Sequence, residues 1–202
     1  MMHIDNYLLE AIIIFIISLA SNALPFLGAP YTLIATYFII RNGINIENFV
    51  IAIVISGLGA ALAKTLTYAL GFVLRKPLRR SKNINILSKF SRSRYFKILL
   101  FILSVIPLLP FDDYLFIGGG VAKISILNML KVSILGKLTK SAIEIPLEVF
   151  GLIKISDVLN VGTLTLTLIS SVAFIVLGVV FFLIDWETLY LKAKQKYHWI
   201  NF

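Results

Sequence analysis

Cysteine is absent from the 202-residue chain, and charge is scarce. Without cysteine there is no disulfide, no thiolate nucleophile and no thiolate-ligated metal. Only 14% of the residues are charged, against about a quarter in a soluble domain. Histidine occurs only at His3 and His198, at opposite ends of the chain, so no histidine metal cluster or Ser–His pair is expected. Acids are the scarcer charge, 10 against 19 basic residues, a formal net charge of +9. In a soluble protein that excess would point to nucleic acid. Here cytoplasmic basic loops and anionic headgroups account for it, and no nucleic-acid partner is expected.

What the chain has is apolar surface: 59% of its residues, with a mean hydropathy of +0.94. That composition predicts an integral, multi-pass protein of the cell membrane. At about 20 residues per span, the length holds one membrane domain and leaves no room for a second, soluble one. Residues 11–20 are apolar enough for a signal sequence, but Asp5 and Glu10 precede them without Lys or Arg, so they are expected to stay in the mature protein.

In order, residues 7–40 form a hydrophobic stretch interrupted at SNALPFLGAP, where Pro25, Gly28 and Pro30 favour a break. Arms this short predict a re-entrant hairpin. Asn45 or Glu47 is placed to cap a spanning helix over 48–74, whose Gly57, Gly59, Ala60, Ala61 and Ala63 permit close helix approach. Residues 75–97 hold nine basic residues and no acid. They form a cytoplasmic segment, either a surface helix carrying Ile84, Leu87 and Phe90 or a solvated loop. A second broken hairpin is predicted over 98–122, spanning helices over 124–153 and 163–184 with a polar turn at 154–162, and a cytoplasmic tail over 185–202.

The second hairpin carries the chemistry. Its centre, Ile106–Gly120, reads IPLLPFDDYLFIGGG. Pro107 and Pro110 break a helix, and Gly118, Gly119 and Gly120 are expected to extend the break. Asp112 and Asp113 follow the prolines. An aspartate in lipid costs roughly 2.5–3.5 kcal/mol on insertion scales, and broken backbone is tolerated there only where it lines a cavity. Asp112 or Asp113 is therefore a candidate ion or proton site, with one functional acid expected rather than two. The same residues also suit an aqueous turn, with either acid as a cap. Lys64, Lys137 and Lys140 lie inside hydrophobic segments. They suit an anionic headgroup, or else they snorkel or pair with Glu144 and Glu148. Glu144 and Glu148 share a helix face, as salt-bridge partners or as a second proton path. A cation from the helix after the acids, Lys137 or Lys140, is expected to meet them.

The two halves form a weak repeat: a proline-broken hairpin, then a long helix with glycine and lysine. Pro25 aligns with Pro107, Gly57 with Gly136 and Lys64 with Lys140. With hairpins entering from opposite faces, this predicts an all-α polytopic fold with two proline-broken re-entrant hairpins in an inverted repeat.

Residues 106–138, with their prolines, acids, glycine run and the later Gly136, resemble the second signature region of the DedA/VTT (SNARE-associated) membrane proteins. Residues 57–76, with Tyr68, Gly71 and Arg75, are similar to that family's glycine-rich segment. The resemblance covers residues 20–150. It implies transbilayer movement of an anionic lipid or lipid-linked phosphate, coupled to protons or another ion or acting as a scramblase. The first hairpin lacks the acid that many bacterial members carry, and the second lacks their arginine, which bears on coupling. The expected partners are membrane lipids, anionic ones foremost. Alternatives are an ion-coupled small-solute transporter and a non-transporting membrane organiser or assembly factor. No cofactor or metal is called for, and without a nucleophile–base pair no enzyme is expected.

The charge asymmetry places residues 75–97 and the tail on one, cytoplasmic side. Ser81→Cys and a cysteine introduced beside Lys196 should both resist a membrane-impermeant thiol reagent in intact cells. Labelling of one alone rejects an even number of crossings between them.

Overall fold

The computed structural model describes residues 2–23, 31–78, 93, 95–106 and 111–183. These are all-α: α1 (Met2–Ala23), α2 (Tyr31–Asn42), α3 (Ile46–Val73), α4 (Arg75–Leu78), α5 (Tyr95–Val105), α6 (Phe111–Ala122), α7 (Ile126–Leu159) and α8 (Thr163–Leu183). No strand occurs among the described residues. Pro25, Pro30, Pro107 and Pro110, most of the basic segment and the tail from residue 184 lie outside them.

Helix α3 is long and apolar enough to cross a membrane. Its 28 residues extend about 42 Å at 1.5 Å per residue, against a hydrocarbon core of about 30 Å. Asn45, in extended backbone, starts it by accepting the Asn48 N–H at 2.8 Å. Glu47 in the first turn complements the positive end of the helix dipole.

Neither broken segment is a single helix. In the first, Glu10 near the start of α1 meets the end of α2, 3.3 Å from Arg41 and 2.5 Å from the Asn42 side-chain amide. Tyr7 and Phe38 bring their rings to 5.3 Å. The chain therefore doubles back between Ala23 and Tyr31. In the second, Phe96 and Leu100 of α5 share a buried cluster with Leu115 and Phe116 of α6.

Helices α3 and α7 are the central pair. Helices α1 and α6 pack chiefly on α3, α5 on α7, α2 on both, and α8 against α2 and α7. On α3 small residues lie inside and bulky ones outside, which lets neighbouring helices approach closely. Ala52, Ser56, Ala60, Ala61 and Ala63 are buried on α3, whereas Val54, Leu62 and Leu66 are exposed.

Two expectations need correction. Gly118, Gly119 and Gly120 do not extend the break, since all three lie inside α6. Gly119 and Gly120 serve close approach instead. A methyl group on Gly120 would fall on the Tyr68 carbonyl of α3, and one on Gly71 would fall on the Ile117 carbonyl of α6. The predicted polar turn at 154–162 is also shorter, because α7 runs on to Leu159. Lys154 and Asp157 are tolerated on an exposed helical surface. The stop comes from Asn160, left-handed at φ 50°, with the Ser156 hydroxyl donating to the Val161 carbonyl at 2.7 Å. Asn160–Gly162 then bends the chain by 113° into α8.

Gly120→Ala should destabilise the bundle by about 1–3 kcal/mol through overpacking. Gly151→Ala, where an added methyl meets nothing within 4 Å, should be neutral or stabilise by up to about 1 kcal/mol. Thermal unfolding in detergent compares the two.

Candidate functional site

Asp112 and Asp113 occupy the first turn of α6, where the helix dipole favours a negative charge. Both carboxylates turn inward and are about 1% exposed. Lys64 of α3 and Lys137 of α7 reach the same place and are 2% and 4% exposed. Lys64 Nζ stands 2.5 Å from Asp113 Oδ1 and 3.5 Å from Asp112 Oδ1. Lys137 Nζ stands 2.8 Å from Asp112 Oδ2. The charges therefore alternate in the order Asp113, Lys64, Asp112, Lys137. Thr67, three residues after Lys64 on the same face of α3, donates to Asp113 Oδ1 at 3.4 Å.

The distances give the two acids different surroundings. Asp113 takes a direct hydrogen bond from the Lys64 ammonium. Asp112 is held between two ammonium groups, Lys137 at 2.8 Å and Lys64 at 3.5 Å. The hydroxyl of Ser133, one turn before Lys137 on the buried stripe of α7, has no partner among the described residues. Taking such charges out of water costs several kcal/mol per ion. Only opposite charges at these separations offset that cost.

Lys140 is not part of this group. It lies 3.8 Å from Glu144 and places its ammonium 5.8 Å from the centre of the Tyr31 ring, a cation–π contact. The structure therefore brings Lys64 and Lys137 to the acids and sets Lys140 one turn away. Glu148 accepts from Thr32 Oγ1 at 2.7 Å and Thr36 Oγ1 at 2.8 Å, both on α2. Tyr31 and Ser56 converge on the Ser141 hydroxyl, each at 3.4 Å.

Thr32, Thr36, Tyr31, Ser56, Thr67 and Ser141 escaped the sequence reading. Their signal was spacing rather than charge: Thr32 and Thr36 are four apart, as are Ser133, Lys137 and Ser141, so each set lies on one helix face. Among the described residues no group of His, Asp or Glu could hold a metal. Chemically, the arrangement can bind, exchange and neutralise charge. Comparison with family models, with curated proteins and with solved structures returns no match.

Removing one partner of a buried ion pair costs more than removing both. Asp112→Ala should destabilise by about 3–5 kcal/mol, and the Asp112→Leu, Lys137→Met double variant by clearly less than its two single changes added. Unfolding in nanodiscs measures the cycle, and additivity would show that the pair is not coupled.

Proposed function

We propose that this chain is a multi-pass membrane protein that moves an anionic lipid, or a lipid-linked phosphate, between leaflets, as its resemblance to the DedA/VTT proteins implies. One observation carries the reading: Lys64 and Lys137 lie buried in the middle of a helical bundle whose outer surface is bulky and apolar. An ammonium group there is costly, and its retention marks a pathway for a charged group. A headgroup phosphate offers Lys137 the same interaction as Asp112, with more acceptor oxygens. Exchange of Asp112 for phosphate at Lys137 would admit the headgroup at mid-bundle, while the lipid tails remain on the apolar exterior.

The contact pattern supports an inverted repeat behind this function, in a register different from Gly57 with Gly136 and Lys64 with Lys140. Gly59 of α3 packs on Phe15 and Ser18 of α1, and Gly136 of α7 packs on Phe101 and Ser104 of α5. Asp113 of α6 meets Lys64 of α3, and Tyr31 of α2 meets Ser141 of α7. Thus α1–α3 corresponds to α5–α7, with hydroxyls in one half where the other carries charges. In a bilayer the two doubled-back segments become re-entrant hairpins entering from opposite faces, as alternating access requires.

The purified chain in liposomes with fluorescent lipids tests this. A labelled anionic lipid should cross faster than in protein-free vesicles, and Lys137→Gln should slow it about tenfold or more, the loss of one charge-assisted contact worth roughly 1.5–3 kcal/mol. Movement without a gradient identifies a scramblase, and gradient-dependent movement a coupled carrier. Rates equal to those of empty vesicles under every gradient reject lipid transport and favour a membrane organiser.

A further inference from the structure

Among the described residues, the middle of the bundle holds four carboxylates, Asp112, Asp113, Glu144 and Glu148, and three ammonium groups, Lys64, Lys137 and Lys140. Three of the carboxylates have an ammonium within 3.8 Å. Glu148 makes no ion pair with any described residue. Its two oxygens instead accept one hydroxyl each, from Thr32 and Thr36.

The groups around it leave this carboxylate unneutralised. On its own helix Glu144 and Lys140 lie on the N-terminal side and pair with each other, and Lys154, six residues further on, is exposed. Helix α2 presents Thr32 and Thr36, while Tyr31 turns its hydroxyl to Ser141. Helix α3 has no ionisable side chain between Asn48 and Ala63, and Lys64 beyond is taken by the aspartates. Helix α8 has none from Thr163 to Leu177. Helix α5 meets α7 at Gly136, on the far side of Lys137 from Glu148, and its ionisable residues Tyr95 and Lys97 lie at its start.

We propose that Glu148 is a proton-binding site of the bundle, separate from the ion-paired cluster of Asp112 and Asp113. Two arguments converge. A half-buried carboxylate bonded only to neutral hydroxyls has no ammonium within ion-pair distance to offset its desolvation, whereas each aspartate has at least one. The four carboxylates in the middle of the bundle also exceed its three ammonium groups by one, and a single proton on Glu148 balances them. The hydroxyl partners accommodate both states. With Glu148 ionised, both threonines donate to it. With Glu148 protonated, its new O–H donates to Thr36, whose own hydroxyl hydrogen turns to the Thr32 carbonyl one turn back on α2. The proton comes from water and returns to it, and α2 stays linked to α7 throughout. The inference rests on the bundle lying in a bilayer and not on lipid as the cargo.

Difference infrared spectroscopy of the full chain in lipid nanodiscs reads a protonated carboxyl directly and needs no transport activity. The parent protein should show one carboxyl titrating between about pH 5 and pH 8. Glu148→Gln should remove that signal. Thr36→Val deletes a donor to the charged form, so it should move the midpoint up by about one pH unit, and it serves also if the glutamine variant folds poorly. A signal that survives Glu148→Gln, a midpoint that Thr36→Val leaves in place, or a parent with no carboxyl titrating in this range would each overturn the assignment. Vesicles in which lipid fails to move would reject the transport reading and leave this titration unchanged.

Discussion

The fold depends on Lys64 reaching both carboxylates at the start of α6. At 2.5 Å and 3.5 Å this single ammonium ties α6 to α3, and Lys137 at 2.8 Å ties it to α7. The net contribution of such a network to stability is small, because desolvation of each ion offsets most of the Coulomb gain. Its contribution to register is large. A rotation of α6 about its axis would turn the carboxylates away from the lysines and leave several charges buried and unpaired. The glycine contacts fix the same register further along, where Gly120 and Gly71 let the backbones of α6 and α3 meet with no side chain between them. Charge at one end and close backbone approach at the other hold this arm in one position.

The corresponding arm of the first half is held by different chemistry. Helix α2 meets α7 through hydroxyls, Tyr31 with Ser141 and the two threonines with Glu148. A neutral hydrogen bond contributes about 0.5–1.5 kcal/mol and one to a charged group about 1.5–3 kcal/mol. Breaking a fully buried ion pair costs about 3–5 kcal/mol. The α2 contact is therefore the less costly of the two to break. The aromatic and apolar packing of Phe38, Ile39, Ile145 and Val149 supplies much of what holds α2 in place.

How much of this could be read from the chain follows from what each signal encodes. Composition carried the helical class, because so little charge leaves few other ways to satisfy the backbone in an apolar setting. The segments read as broken, 7–40 and 98–122, each hold two separate helices, while the prolines on which that reading rested lie outside the described residues. That a lysine from the following helix meets the acids was legible from charge logic, since few cations lie near enough in the chain. Lys64 as the partner of both acids was not, because it comes from α3 and its reach depends on tertiary register. Gly118–Gly120 were misread because a glycine run signals a turn in water but close helix contact in a bundle of this kind. Thr32 and Thr36 gave only a spacing signal, four residues apart on one helix face, and nothing in that spacing names Glu148 as their partner.

The two central helices show why the polar groups sit where they do. The buried stripe of α3 runs Ser56, Ala60, Lys64, Thr67, Gly71, and that of α7 runs Met129, Ser133, Lys137, Ser141, Ile145, Val149. On α7 the apolar members are at the two ends and the polar ones are between them. A helix of a water-soluble protein gains nothing from that order, because its polar residues serve best on the outside. Here the outside is Leu, Ile, Val and Phe, and the hydroxyls and charges can be satisfied only by one another across the centre. Lys64, Thr67, Lys137, Ser56 and Ser141 therefore each constrain a partner on another helix. Which faces of α3 and α7 meet the other helices is specified by polar complementarity in the middle of the bundle together with apolar packing at its ends.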